Sequence, residues 1–169
     1  MCLFLCAYGK KEEVATLSLG DTFSRGGISF TLHEFCLAEK TDGTIYDPYQ
    51  INGHSWVPNE GYIFEYLNYT IENGGKEKFD HFTDIGIVLE YGDGDTYGSE
   101  TTDHKVACTD FDSYALDVDP LMSKTYHHIV SNCPASIVPP TSDITIAVTI
   151  NHTTARFVIP AADMIVNEG

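Results

Sequence analysis

The chain is 169 residues long and 43% of it is hydrophobic, which suits one globular domain with a core of its own. Its 25 acidic residues against 9 lysines and arginines give a formal net charge of −16. That charge argues against nucleic acid as a partner, because too few cations are present to neutralise a run of phosphates, and it disfavours anionic membrane surfaces.

The amino terminus has the pattern of an export signal. Residues 2–7 form a short apolar run, and a charged tetrad at residues 10–13 follows. This order is typical of the end of a secretory leader joined to a tether. We therefore expect residues 1–13 to be a leader remnant and tether, residues 14–169 to form a single domain, and the protein to be extracellular or held at the cell envelope.

The segment Leu5–Lys11 is similar to the end of a bacterial lipoprotein signal, but Tyr8 stands where the lipidated cysteine belongs. If the protein contacts a membrane, we expect the contact to be an amino-terminal lipid anchor of the kind that this similarity implies. The alternative is an apolar terminus with no targeting meaning.

Alternation of apolar and polar residues predicts strands at residues 14–19 and 28–32. Its phase slips at His33-Glu34, which predicts a β-bulge. The most informative run is residues 62–72, rich in aromatic and β-branched side chains between Gly61 and the Asn73–Gly75 turn. This run predicts a central strand of a β-sandwich, with nothing catalytic on it.

The second half of the chain continues the alternation. Further strands are predicted at residues 85–91, 126–131, 144–150 and 155–159, the last two joined in a terminal hairpin by residues 151–154. Residues 99–123 are predicted to be an acidic loop, with one helical turn near residues 114–121. Because no long amphipathic helix is present, the fold class is all-β, with two packed antiparallel sheets.

The order of these pieces resembles a telokin-like, immunoglobulin-like domain of unknown function found in bacterial envelope lipoproteins and secreted proteins. The residues that carry the resemblance are, in turn, Leu19-Gly20, Gly27–Leu32, Gly61–Asn73, Asp93-Gly94 with Tyr97, Asp119-Pro120 and Ile144–Ile159. Two features depart from the pattern, since no glycine follows Pro120 and residues 39–59 are longer than expected. The resemblance implies an immunoglobulin-like antiparallel β-sandwich of about seven to nine strands that is exported, is not an enzyme and has no known ligand.

Residues 39–59 are a polar, turn-rich excursion that contains Tyr46, Tyr49 and the single tryptophan, Trp56. Long excursions inside compact domains often bind partners, and these rings give a large contact area at small entropic cost. We predict that the three rings bind an unknown protein or surface ligand. The alternative is that they only pack the excursion onto the sandwich.

A calcium-stabilised, adhesion-type sandwich is the alternative function. Asp110, Asp112, Asp117 and Asp119 form two pairs of carboxylates, and residues two apart on a strand share a face. Either pair could present hard oxygen ligands to calcium; otherwise the cluster is a solvated acidic edge. No other cofactor is predicted.

Catalysis is not predicted, because the sequence has no Gly-x-Ser-x-Gly elbow and its cysteine–histidine combinations are unspecific. His127 and His128 are expected to point to opposite faces of a strand, and the loop histidine His81 is expected to have a surface or capping role. Cys108 and Cys133 are the favoured disulfide pair, although the connectivity stays open.

Overall fold

The computed structural model describes residues 16–38, 60–91, 96–98, 104–108, 116–137, 142–163 and 165–167. The strands are β1 (Thr16–Leu17), β2 (Thr22–Arg25), β3 (Ile28–Ala38), β4 (Tyr62–Asn73), β5 (Ile85–Tyr91), β6 (Thr96–Gly98), β7 (His104–Cys108), β8 (Met122–Pro134), β9 (Ile144–Ile150), β10 (Thr153–Ile159) and β11 (Ile165–Asn167). Two single turns of 3-10 helix, Ala135–Ile137 and Ala161–Asp163, complete the described elements. Within these ranges no helix has the length and apolar character needed to cross a membrane.

The strands form two sheets. The five-stranded sheet has the order β1-β10-β9-β5-β6, and the six-stranded sheet has the order β11-β3-β4-β8-β7, with β2 also paired to β3. In immunoglobulin domains one sheet has the order ABED and the other GFC, to which variable domains add C′. Strands β3, β4, β8 and β7 occupy the ABED positions, and β10, β9, β5 and β6 occupy GFC and C′.

The predicted immunoglobulin-like β-sandwich is therefore confirmed. Its frame is two four-stranded sheets, eight strands in all, within the predicted seven to nine. Strands β1, β2 and β11 are short additions, of which β1 and β11 pair in parallel with their neighbours. The inter-sheet disulfide of antibody domains has no counterpart here, because β4 and β9 contain no cysteine.

Strand β4 lies at the centre of the six-stranded sheet, paired to β3 on one side and to β8 on the other. Its inward residues Leu67, Tyr69 and Ile71 are completely buried. The predicted bulge in β3 is confirmed, since the β3–β4 register shifts between Leu32 and Glu34. This bulge returns Phe35 to the core after the break in alternation.

The core is the space between the sheets, and aromatic rings cross it. Phe30 of the six-stranded sheet meets Phe157 of the five-stranded sheet at 5.6 Å between ring centroids, and it stacks on Tyr69 at 4.9 Å. Ile87 and Val148 of the five-stranded sheet contribute aliphatic side chains to the same core. The predicted alternation is thus confirmed, because inward residues of both sheets form one apolar cluster.

Several boundaries differ from the predictions. The strand predicted at residues 126–131 is β8, which runs from Met122 to Pro134, because β4 pairs with it from Met122 to Pro134. Strand β7 lies inside the segment predicted to be a loop. The helical turn predicted near residues 114–121 is wrong for its described part, where Val118 instead forms a β-bridge with Phe79.

The predicted disulfide between Cys108 and Cys133 is contradicted by the strand register. Cys108 lies opposite Tyr126 in the β7–β8 ladder, while Cys133 lies farther along β8. From Tyr126 to Cys133 the strand advances by roughly 23 Å. Disulfide-bonded cysteines have Cα atoms only about 4.4–6.8 Å apart, so these two cannot be bridged within one chain.

Phe157→Ala is expected to destabilise the fold by about 3–5 kcal/mol, because it empties the ring contact between the sheets. The control is Val88→Ala on the outer face of β5, where the side chain is 37% exposed. That change is expected to alter stability by less than about 0.5 kcal/mol. Urea unfolding measures both, and equal effects of the two substitutions would contradict the assignment of the core.

Candidate functional site: the loop end of the sandwich

One end of the sandwich, named here the loop end, consists of residues 74–84, 116–121 and 151–152. The first segment connects β4 to β5 and the last connects β9 to β10, and residues 116–121 lead into β8. These are the B–C, F–G and D–E connections of an immunoglobulin domain. In antibody variable domains the B–C and F–G connections carry antigen-binding loops.

Asn73, the last residue of β4, ties two of these segments together from a buried position. Its side-chain Nδ2 donates to the carbonyls of Glu77 and Val118, each at 2.8 Å, and its Oδ1 accepts from the backbone N–H of Gly75 at 2.9 Å. Its backbone carbonyl accepts from the N–H of Leu121 at 2.7 Å. One side chain therefore fixes the start of the β4–β5 connection against the segment before β8.

A short bridge strengthens this junction. Phe79 and Val118 exchange backbone hydrogen bonds of 3.0 and 2.9 Å. Beside them Lys78 Nζ lies 2.6 Å from Asp117 Oδ2. The hydrogen bond to Asp117 raises the pKa of Lys78, and the charges of Asp117 and Asp119 act in the same direction.

Three large apolar side chains face solvent here, two of them in the loop end and one, Met122, directly beside it at the start of β8. Phe82 is 65% exposed, Leu121 82% and Met122 58%. The backbone of Leu121 has φ of 63°, in the left-handed region that costs a bulky residue roughly 1–2 kcal/mol. Glycine or asparagine would suit that conformation better, so the fold does not select leucine there.

Phe82 is held in place by its neighbours. The backbone N–H of Phe82 donates to Asp80 Oδ1 at 2.8 Å, and the N–H of Asp80 donates to Asp84 Oδ2 at 2.8 Å. The preceding residue, His81, is buried between Tyr69 and Tyr126 and anchors the turn to the core. The exposed ring therefore projects from an ordered turn.

A cleft of about 430 Å³ opens at the same end. The β2–β3 turn, the β4–β5 connection and Asn151 line it. Gly26, with φ of +62°, lies against the Asn151 side chain so closely that a Cβ at position 26 would collide with Nδ2. Asn151 and His152 both have positive φ, as a two-residue hairpin turn between right-twisted strands requires.

Two buried histidines bond to tyrosines of β4 on opposite faces. Tyr69 Oη lies 2.6 Å from His81 Nε2 on the inward face, and Tyr66 Oη lies 2.5 Å from His127 Nδ1 on the outward face. The surface role that was one of the two expected for His81 is wrong, because its loop folds over the edge of the sandwich and buries the ring. The opposite orientations predicted for His127 and His128 are confirmed, since His128 contacts Tyr69.

Glu65 is a completely buried carboxylate that sequence reasoning missed. It occupies the same inward alternation of β4 as Leu67 and Tyr69. The burial of Glu65 could have been predicted from the alternation of side chains along β4, because a period of two residues places position 65 on the core side.

The described hydroxyl–histidine contacts do not form a nucleophilic site. His33 Nε2 lies 2.7 Å from Thr70 Oγ1, but this pair lies on the exposed outer face of the six-stranded sheet. The cleft at the loop end, as far as the structure describes its lining, has no histidine, serine or cysteine. An activated nucleophile needs a neighbouring base and oxyanion donors around one bound atom.

The predicted binding rings Tyr46, Tyr49 and Trp56, and the predicted calcium ligands Asp110 and Asp112, lie outside the described residues. Asp117 is paired with Lys78, and Asp119 is exposed. No cluster of three or more metal-ligating side chains occurs among the residues that are described.

Cys36 forms no disulfide and lies on the outward side of β3, buried in a small cluster with Phe64 and Tyr66. Burial, aided by the charge of Glu34, raises the pKa of the Cys36 thiol to about 12. It is therefore a protonated, unreactive group at neutral pH.

Two solved structures share this fold. One is an uncharacterized β-sandwich protein from Clostridium difficile 630, with a TM-score of 0.66 and 14% identity over 89% of this chain and 97% of that one. The other is a conserved hypothetical protein from Bacillus anthracis, with a TM-score of 0.54 and 14% identity over 83% of this chain and 94% of that one. No protein-family model matches the chain, and no curated protein is similar to it. The comparisons show bacterial β-sandwich neighbours and assign no family.

Asn73→Asp is expected to lower the free energy of unfolding by about 2–4 kcal/mol, because it keeps the shape of the side chain but removes both donated hydrogen bonds. The neighbouring exposed position supplies the control, Glu72→Gln, which is expected to have little effect. Chemical denaturation measures both variants. An Asn73→Asp variant as stable as the wild type would show that Asn73 does not hold the loop end.

Acid is expected to destabilise the protein through His127. Burial lowers the pKa of His127 below its usual 6.5, so the unfolded chain takes up a proton at higher pH than the folded chain. The resulting stability is complete above pH ~6.5 and is lost as the pH falls below that value. His127→Gln should flatten this part of the profile of urea midpoint against pH. Parallel profiles for variant and wild type would contradict this role.

Proposed function

We propose that the protein is a non-catalytic binding module, exported or held at the cell envelope, whose loop end docks on a partner protein. The immunoglobulin-like frame supports the proposal, because it brings three connections together at one end. Location at the envelope rests on the leader-like residues 1–13. The buried tyrosine–histidine pairs support a structural role for those groups, since each pair bonds strands or loops together.

Leu121 is the observation that carries the proposal. A large apolar side chain that is 82% exposed gains nothing from the core, and its left-handed backbone makes it unfavourable for folding. Residues that cost stability at exposed positions are expected where function needs them. Phe82 and Met122, exposed at the same end, add apolar contact area.

The chemistry of the loop end suggests what kind of partner it fits. Its segments carry the carboxylates of Asp80, Asp84 and Asp119, and Lys78 is already paired with Asp117. A complementary partner surface has an apolar centre and a basic rim, because opposite charges at a rim speed encounter and set orientation. The ordered turn that carries Phe82 lowers the entropic cost of binding.

Photo-crosslinking in cells that carry the protein at its natural level tests the proposal. A benzophenone amino acid placed at Phe82 or Leu121 is expected to form an adduct with a partner protein. The same group at Val88, exposed on the outer face of the five-stranded sheet, is the control and should form none. Adducts only at Trp56 would assign binding to the aromatic excursion instead, and adducts at no position would contradict a binding role.

Leu121→Gly separates stability from binding. It is expected to stabilise the fold by roughly 0.5–1 kcal/mol, since relief of the left-handed strain exceeds the entropic cost of glycine. The same change should abolish the adduct formed from position 82. Leu121→Asn, which also tolerates this backbone, is the matched polar variant and should behave alike. Undiminished crosslinking in both variants would remove Leu121 from the binding surface.

The calcium-stabilised sandwich remains the alternative proposal. Calcium at Asp117 would have to displace Lys78, whose ammonium lies 2.6 Å from the carboxylate. Extracellular modules bind calcium at about 0.1–1 mM, so melting curves with and without millimolar calcium decide the matter. The loop-end proposal expects an unchanged midpoint, whereas a rise of several degrees would favour calcium.

A further inference from the structure

The outer face of the six-stranded sheet carries two rows of hydroxyl side chains, one above the other. Strand register aligns four threonines, one from each of β2, β3, β4 and β8: Thr22, Thr31, Thr70 and Thr125. The second row lies two residues farther along each strand and consists of Ser24, Ser29, Glu72 and Ser123. These eight residues are named here the hydroxyl face. Seven of the eight positions are therefore serine or threonine.

Hydrogen bonds between neighbouring strands order these hydroxyls. Thr22 and Thr31 are joined by Oγ1 atoms 2.8 Å apart, and Thr70 and Thr125 by Oγ1 atoms 2.9 Å apart. In the second row, the Oγ atoms of Ser24 and Ser29 lie 2.8 Å apart. A hydroxyl has one donor and two acceptor sites, so the single neighbour bond of Thr22, Thr31, Ser24 and Ser29 leaves these four able to bond a ligand. Thr70 Oγ1 also lies 2.7 Å from His33 Nε2, which leaves one of its three sites for a ligand.

The hydroxyl face is nearly uncharged in a chain whose formal net charge is −16. Glu72 is the one ionisable residue in its two rows. The outer face of the five-stranded sheet differs, because Arg156 and Glu90 form an ion pair across it. A charge-poor surface on an acidic protein disfavours polyanions and offers little to cations, and so it is complementary to a neutral ligand.

We propose that the hydroxyl face binds a neutral polysaccharide chain lying across β2, β3, β4 and β8. Adjacent strands are about 4.8 Å apart, and residues two apart along a strand are roughly 6.8 Å apart. The face thus presents a grid of donors and acceptors with which the hydroxyls of successive sugars can bond. This surface is distinct from the loop end, and the inference does not depend on the proposed function.

Binding of this kind requires a polymer. A single neutral hydrogen bond exchanged with water contributes only about 0.5–1.5 kcal/mol, and the face has no exposed aromatic ring on which a sugar could stack. Many bonds must therefore form along one glycan. Once its first sugar is bound, the following sugars are held close to the face, so that their bonds form at a high effective concentration. Long glycans are expected to bind and free monosaccharides are not. High salt should leave binding intact, because no charge pair is formed.

Retention of the purified full chain on insoluble neutral glycans tests the proposal, with cellulose, chitin and β-1,3-glucan as probes. The double variant Thr31→Val with Thr70→Val keeps the branched shape of the side chains but removes two hydroxyls. It is expected to lower retention about tenfold, as the loss of two such bonds implies. The matched control is Thr149→Val with Thr154→Val, which removes a bonded hydroxyl pair from the outer face of the other sheet and should retain binding.

Thr22→Val, at an exposed position on the short strand β2, provides a milder variant whose folding is secure and whose retention should fall by a smaller factor. Circular dichroism melting checks that each variant is folded. Retention on none of the three glycans, or equal losses in the test and control variants, would overturn the proposal. Selective loss in the variants of the hydroxyl face would support it.

Discussion

The structure depends on β4 being paired along both of its sides. A strand in that position must satisfy every backbone group within the sheet, and its side chains must suit two different environments in alternation. Its inward residues, among them Leu67 and Tyr69, form the floor of the core that Phe157 closes from the opposite sheet. Its outward residues include Tyr66, bonded to His127, and Thr70 of the hydroxyl face.

The end of β4 determines what the loop end can do. Asn73 is buried, and it uses both side-chain donors and its amide oxygen in hydrogen bonds to backbone groups of neighbouring connections. This rigid base allows exposed apolar residues such as Phe82 and Leu121 to be displayed without collapsing onto the core. The arrangement is typical of recognition by loops on a fixed scaffold, where the frame supplies precision and the connections supply contact chemistry.

The sequence was sufficient wherever a local pattern determines the structure. The alternation in β4, the slipped phase at His33-Glu34 and the terminal hairpin follow from side-chain period and turn chemistry, and all were predictable. Strand β7 and the full length of β8 were not, because polar positions such as Lys105 and Ser123 become strand only through pairing with β8 and β4 respectively. The burial of His81 depends on where a loop folds. The roles of Asn73 and of the threonine row depend on the register between distant strands, which one sequence does not disclose.

Native-state hydrogen exchange of the β4 amides tests most directly whether this strand organises the molecule. If it does, the amides of residues 63–71 exchange only through global unfolding, with an opening free energy equal to that measured by denaturant, while the short strands β1 and β2 open at much lower cost. Exchange of the β4 amides through a local opening of low free energy, with the strongest protection in other strands, would contradict the account.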